Sequence, residues 1–111
     1  MSSIQNHVQL IGNIGDDPTV TNLESGKKVA RLLLATNENY KDKDGEKQTE
    51  TNWHTVVGWG KTAEIIEKYV SKGKKIAIVG KLKTRSYTDK EGDQKYTTEV
   101  VASEILLLNS N

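Results

Sequence analysis

Strand-type runs account for most of the chain, and one segment alone changes to a helical period. Short runs rich in Val, Ile, Leu and Thr, separated by Gly-, Asp- or Ser-containing turns, read as strands: His7–Asn13, Thr19–Leu23, Val29–Thr36, Thr49–Trp59, Lys75–Thr88 and Gln94–Leu108. The exception is Thr62–Val70 (TAEIIEKYV), which places Ala63, Ile66 and Val70 on one helical stripe with Ile65 and Tyr69 beside it. Lys72 and Gly73 then supply a basic last turn and a C′ glycine. Asn37–Gln48 (NENYKDKDGEKQ) reads as a long, charged, mobile hairpin loop with Gly45 near its tip. Gly58 and Gly80, inside strand patterns, predict bends or bulges in a curled sheet. Counted as barrel strands, the order is three, one helix, then two. This predicts an all-β fold, a five-stranded OB-fold barrel with one α-helix between strands 3 and 4; another small β-barrel also fits the composition. With 111 residues there is room for one domain, taken as 1–108, followed by a short end at 109–111.

Parity assigns the faces. Even positions carry the candidate core: Val8, Leu10, Ala30, Leu32, Leu34, Ile76, Ile78, Leu82, Thr98 and Val100. The odd face of the Lys75–Thr88 run reads Ala77, Val79, Lys81, Lys83, Arg85, Tyr87, which is poor core material. It suits a groove that tracks phosphates and stacks a base. From Ser71 to Thr88 there are six cations and no carboxylate, so the net charge of +1 hides a segregated basic stretch. Solvated edge lysines that discourage aggregation would explain those cations alone, but not the aromatic residues. The chain has no Phe, so its six rings are Trp53, Trp59, Tyr40, Tyr69, Tyr87 and Tyr96. Trp53 and Trp59 share parity; Trp59 lies between glycines, and Tyr40 sits beside Lys41 in the charged excursion. These rings and Tyr87 are expected along one trough. Tyr69 and Tyr96 are expected to be structural. Ile11, Leu33, Val57, Ala77 and Val79 are apolar on the odd face, and a lone barrel cannot bury both faces, so self-association is expected.

Other chemistry finds no support. The absence of Cys removes disulfides, thiolate metal sites and thiol catalysis. His7 and His54 lack zinc-type spacing, and His54 beside Trp53 reads as a packed or interface imidazole. Asp16-Asp17-Pro18 is a turn in which Asp caps backbone N–H groups. Asp42, Asp44 and Glu46 alternate with lysines rather than forming an EF-hand loop. No nucleophile elbow, P-loop or dinucleotide fingerprint appears, so neither enzymatic activity nor a cofactor or metal is expected. At 34% hydrophobic residues and a mean hydropathy of −0.64 no membrane span fits, and no secretory signal is visible at the N-terminus. A soluble cytoplasmic protein is expected.

At these same residues the sequence resembles the bacterial single-stranded DNA-binding protein family, from Asn6 to about Val101. The opening NHVQLIGNIGDDP resembles the family's first strand and bend, TNWHTVVGWGK its third strand, EKYVSKG its helix end, and LKTRSYTDKEGDQKYTTEV its last hairpin. Four motifs in order, at similar spacing, are a specific signal. The resemblance implies an OB barrel, a homotetramer, and single-stranded DNA wrapped around it, protected in replication, recombination and repair, with the protein associated with the nucleoid. It places the base-stacking aromatics on Tyr40, Trp53, Trp59 and Tyr87, where the family often has Trp, Trp, Phe and Trp. It matches Lys61, Lys72, Lys83 and Arg85 to basic positions along the DNA path, which Lys81 joins by parity, and His54 to a subunit contact. Family members commonly add a flexible linker and an acidic tip ending in Phe. This sequence ends LLLNSN, which leaves recruitment of replication and repair proteins through such a tip without support. An OB-fold assembly protein and a cold-shock-type RNA binder are the rival readings.

Overall fold

A computed structural model describes residues 4–108; the end expected at 109–111 lies outside them. A short 3-10 turn (Ile4–Asn6) leads into β1 (Val8–Ile14), β2 (Thr19–Asn22), β3 (Lys28–Lys41), β4 (Lys47–Trp59), α1 (Lys61–Tyr69), β5 (Lys75–Thr88) and β6 (Gln94–Leu108). The sheet runs β1-β5-β6-β4-β3-β2, and β1 also pairs with β3. That second pairing, Asn13 opposite Ala35 and Ile14 opposite Leu34, closes β1, β3, β4, β5 and β6 into a five-stranded barrel. The extra strand, β2, is a four-residue appendage hydrogen-bonded only to β3. The helix therefore follows the third barrel strand, as the sequence order predicts.

The core follows the even parity. Ala30, Leu32, Leu34, Val56, Ile76, Ile78 and Val100 are buried inside the barrel, with Val8 and Leu10 packed against them. Leu82 and Thr98 do not belong to it: Leu82 is 50% exposed and Thr98 is exposed as well. Both keep the inward parity, but β5 and β6 continue past the barrel wall as a free arm, where an inward side chain meets no opposite wall. Val57 departs in the other direction. It lies on the outer side, yet it is buried, in register with Val101 of β6 and Arg31 of β3.

The segment read as a long loop is mostly strand. β3 and β4 pair without a register shift from Val29–Trp59 out to Lys41–Lys47, so only Asp42–Glu46 turns. Cross-strand bonds from Thr49 to Asn39 (2.9 Å) and from Thr51 to Asn37 (2.7 Å) hold this polar arm together without a core. The Asp42 carboxylate accepts the N–H groups of Asp44 and Glu46, while Gly45 takes φ 80°. That conformation favours glycine and closes a short hairpin. The β5–β6 arm ends in the same way. Asp89 accepts the N–H groups of Glu91 and Asp93, and Gly92 has φ 86°. The two turns spell DKDGE and DKEGD.

The helix buries Ala63 and Ile66 against the barrel. Gly58 is explained by this contact rather than by a bulge: a Cβ there would stand 2.7 Å from Ile66 Cδ1 and 2.9 Å from Thr62 Cγ2. Gly80 does mark a bulge. The β5–β6 register shifts between Val79 and Gly80, and a Cβ on Gly80 would overlap the Val101 carbonyl. Lys28 Nζ meets Glu67 at 2.6 Å and ties the helix to β3. Val70 is already extended, so Gly73 lies beyond the helix, in the turn whose N–H donates to the Ile14 carbonyl.

Candidate nucleic-acid interface

Residues directly opposite one another in a ladder project to the same side of a sheet. Trp53 is opposite Ala35 and Trp59 opposite Val29, while Val57, between them on β4, is in register with Val101. On β5, Lys81 is opposite Val101, Lys83 opposite Glu99, Arg85 opposite Thr97 and Tyr87 opposite Lys95. Following these pairs across β3, β4, β6 and β5 places Trp53, Trp59, Lys81, Lys83, Arg85 and Tyr87 on one continuous outer face. Tyr40 does not share it. It stands opposite Gln48 at an even position, on the side of the β3–β4 arm that leads back to His54 and Leu34. There it lines a groove of about 540 Å³ with Lys41 and Lys47.

All four rings are exposed. Trp53, the most open of them at 58%, lies with its ring over Gly15, where a Cβ would overlap its edge. The bend after β1 thus packs against the edge of the indole's six-membered ring. Lys61 opens the helix two residues after Trp59. Lys72 is exposed in the turn whose backbone N–H donates to Asp17 at 2.8 Å, next to that bend. Among the described residues Lys61, Lys72, Lys81 and Lys83 form no ion pair within 4.0 Å. Their charge is free for an anionic partner.

Arg85 is not free. Its guanidinium reaches the Glu99 carboxylate at 3.3 Å, and Arg31 from β3 reaches the same carboxylate at 2.5 Å. Glu99 is buried although it lies on the outer face. Burial pushes its carboxyl pKa up, but the hydrogen bonds and charges of Arg85 and Arg31 outweigh this and hold it below the usual glutamate value. Sequence reasoning missed Arg31 and Glu99, which are 68 positions apart. The available signal was parity, since Arg31 is a charged residue in an otherwise apolar strand on the same odd face as Val29 and Leu33.

His54 is half-buried, and its Nε2 lies 2.9 Å from the Thr36 hydroxyl. Tyr69 and Tyr96, expected to be structural, are both exposed, Tyr96 at 68%. Tyr96 keeps the inward parity but stands on the β6 arm beyond the barrel, while Tyr69 lies with Lys61, Ile65 and Lys68 along the helix's outer groove.

Over residues 5–108 the chain matches the profile of the single-strand binding protein family. The chain belongs to that family. It is 44% identical over 106 residues to single-stranded DNA-binding protein 1 of Chlorobaculum tepidum, covering 95% of this chain and 65% of that protein. It is 43% identical over 104 residues to single-stranded DNA-binding protein 1 of Xylella fastidiosa, covering 93% and 76% respectively. It thus spans a little under two thirds of the first relative's length. Among solved structures it is similar to a Plasmodium falciparum SSB in complex with ssDNA, with a TM-score of 0.87, 31% identity, and 98% of this chain and 99% of that one covered.

Proposed function

We propose that this member of the single-strand binding family binds single-stranded DNA with little sequence specificity and without catalysis, protecting exposed strands during replication, recombination and repair. The observation that carries this reading is the shared outer face: Trp53, Trp59 and Tyr87 stand exposed beside the unpaired Lys81 and Lys83. Every base offers a π-face, so stacking tolerates any sequence, at about 1–3 kcal/mol per ring. Lys61, Lys72, Lys81, Lys83 and Arg85 neutralise phosphates along the path. Tyr40 stacks a base from the β3–β4 arm, so the strand passes from the outer face around the arm's edge. No cofactor is required, and the protein works in the cytoplasm with the nucleoid. Membership of the family, the P. falciparum complex and the lack of ion-pair partners for Lys61, Lys72, Lys81 and Lys83 among the described residues all support this reading.

Self-association belongs to the same proposal. The chain's accessible surface is 8243 Å², against about 6,100 Å² for a compact monomer of its mass. Ile11 of β1, Ala77 of β5 and Leu106 of β6 stand side by side in register on the outer side, with Ile11 and Leu106 exposed. Burying such a row against further copies gives the homotetramer, with His54 at a subunit contact. Indole fluorescence titrated with oligo-dT, the matching RNA and duplex DNA tests the binding. Strong quenching by oligo-dT and weak response to the other two is expected. A preference for duplex or RNA would favour an assembly protein or a cold-shock-type RNA binder instead.

A further inference from the structure

The Arg31–Glu99–Arg85 cluster is not explained by folding. β3, β4 and β6 are already joined by ladder hydrogen bonds and need no carboxylate between them, and a buried ion pair commonly stabilises no better than apolar side chains of the same volume. It lies at the centre of the outer face. Arg31 is in register with Val57, two positions from the row that carries Trp59 and four from the row that carries Trp53. Glu99 is directly across from Lys83. Two guanidiniums share one carboxylate, so the cluster keeps one positive charge in excess. Arg31 contributes Nη1 to Glu99 Oε2, and Arg85 contributes Nε and Nη2. The other N–H groups of two planar, five-donor forks remain, on side chains that are 43% and 47% exposed. Carboxylates nearer in sequence are not used: Asp16 and Asp17 line a groove with Arg31 yet make no ion pair with it among the described residues. Instead they accept the backbone N–H groups of Asp17 and Lys72.

We infer that Arg31 is a phosphate-binding residue of this face, its guanidinium held by Glu99 so that it takes a DNA phosphate of its own beside the one at Arg85. Holding both forks in fixed orientation before the ligand arrives lowers the ordering cost of a bidentate phosphate contact, which a lysine's flexible point charge does not provide. This inference rests on the proposed binding of single-stranded DNA.

The test is the salt dependence of oligo-dT binding, compared between the wild type, Arg31→Gln and the charge-conserving pair Arg31→Gln/Glu99→Gln. One lost phosphate contact lowers the slope of log K against log salt by about 0.7, and that loss is expected in both variants. The double variant leaves net charge unchanged, so a general charge effect predicts no loss there. A wild-type slope in folded variants would show that Arg31 serves only as a counter-ion to Glu99, and would overturn the inference. A wild type that fails to bind oligo-dT at any salt would instead overturn the reading beneath it. Phenylglyoxal labelling of the wild type, mapped by mass spectrometry, needs no variant. Oligo-dT is expected to protect Arg31, and equal labelling with and without it would overturn the inference independently.

Discussion

Replacing Trp53 by alanine separates the two roles an exposed indole can have. The residue is 58% exposed, so roughly 100 Å² of a surface near 250 Å² is covered, in part where the ring edge meets the bend at Gly15. At about 25 cal/mol/Å² the fold loses about 2 kcal/mol after allowing for the Cβ that remains. A domain of this size then melts roughly 8–16 °C lower and still folds. Binding loses a different quantity: one stacking platform worth about 1–3 kcal/mol, or roughly 5- to 150-fold in Kd. The assay is a titration with oligo-dT at fixed salt, well below the lowered melting transition, read through the fluorescence of Trp59. Trp53→Phe keeps a π-face and is expected to recover much of the affinity while leaving the salt slope unchanged. Unchanged affinity in Trp53→Ala, with the loss of stability intact, would mean that the indole serves the fold alone and would refute the stacking assignment.

Three further outcomes follow from the same geometry. Gly15→Ala places a methyl where the edge of the Trp53 ring now lies; the open ring swings away, so oligo-dT affinity should fall severalfold with a loss in Tm no larger than that of Trp53→Ala, and unchanged affinity would show that Gly15 does not position the ring. Glu99, whose carboxyl is held below the usual glutamate range in the folded chain by Arg85 and Arg31, contributes stability that is complete above the unfolded value and is lost as pH falls through the folded one. Urea unfolding should therefore find Glu99→Gln less stable than wild type by about 1–2 kcal/mol at pH 7, with the gap closing below about pH 4.5, whereas a gap that persists at pH 2 would contradict the ion-pair account. Ile11→Lys puts a charge into the exposed apolar row of β1, β5 and β6, and sedimentation should show a smaller assembly; an unchanged mass would place the subunit contact elsewhere.

What could be read in the sequence was whatever depends on neighbours along the chain. Period-two patterning gave the strands and, through Ala30, Leu32, Leu34, Ile76 and Ile78, the barrel interior. Leu82 and Thr98 show where parity stops being informative: it states a side of the sheet, not whether anything stands opposite. The Asn37–Lys41 segment looked like a loop because its side chains are polar on both faces, and its extended state rests on ladder bonds to β4 and on the Asp42 turn. The recurrence of that turn at Asp89 was present in the sequence as DKDGE and DKEGD, a repeat too short to stand out without the hairpins around it. Trp53, Trp59 and Tyr87 could be placed on one face by counting, because β4 runs without a shift and β5 runs regularly from the Gly80 bulge onward. Tyr40 could not, since its side depends on where β3 ends. Glu99 with Arg31 and Arg85 lay furthest from view: only the order β3-β4-β6-β5 in the sheet brings the three side chains together, and no local pattern marks a carboxylate that will be buried between two guanidiniums on an outer face.

The most direct test is a crystal structure of the chain with oligo-dT. Bases stacked on Trp53, Trp59 and Tyr87, with phosphates at Lys81 and Lys83, are the expected result. DNA bound elsewhere, with those three rings uncovered or sealed between subunits, would contradict the account.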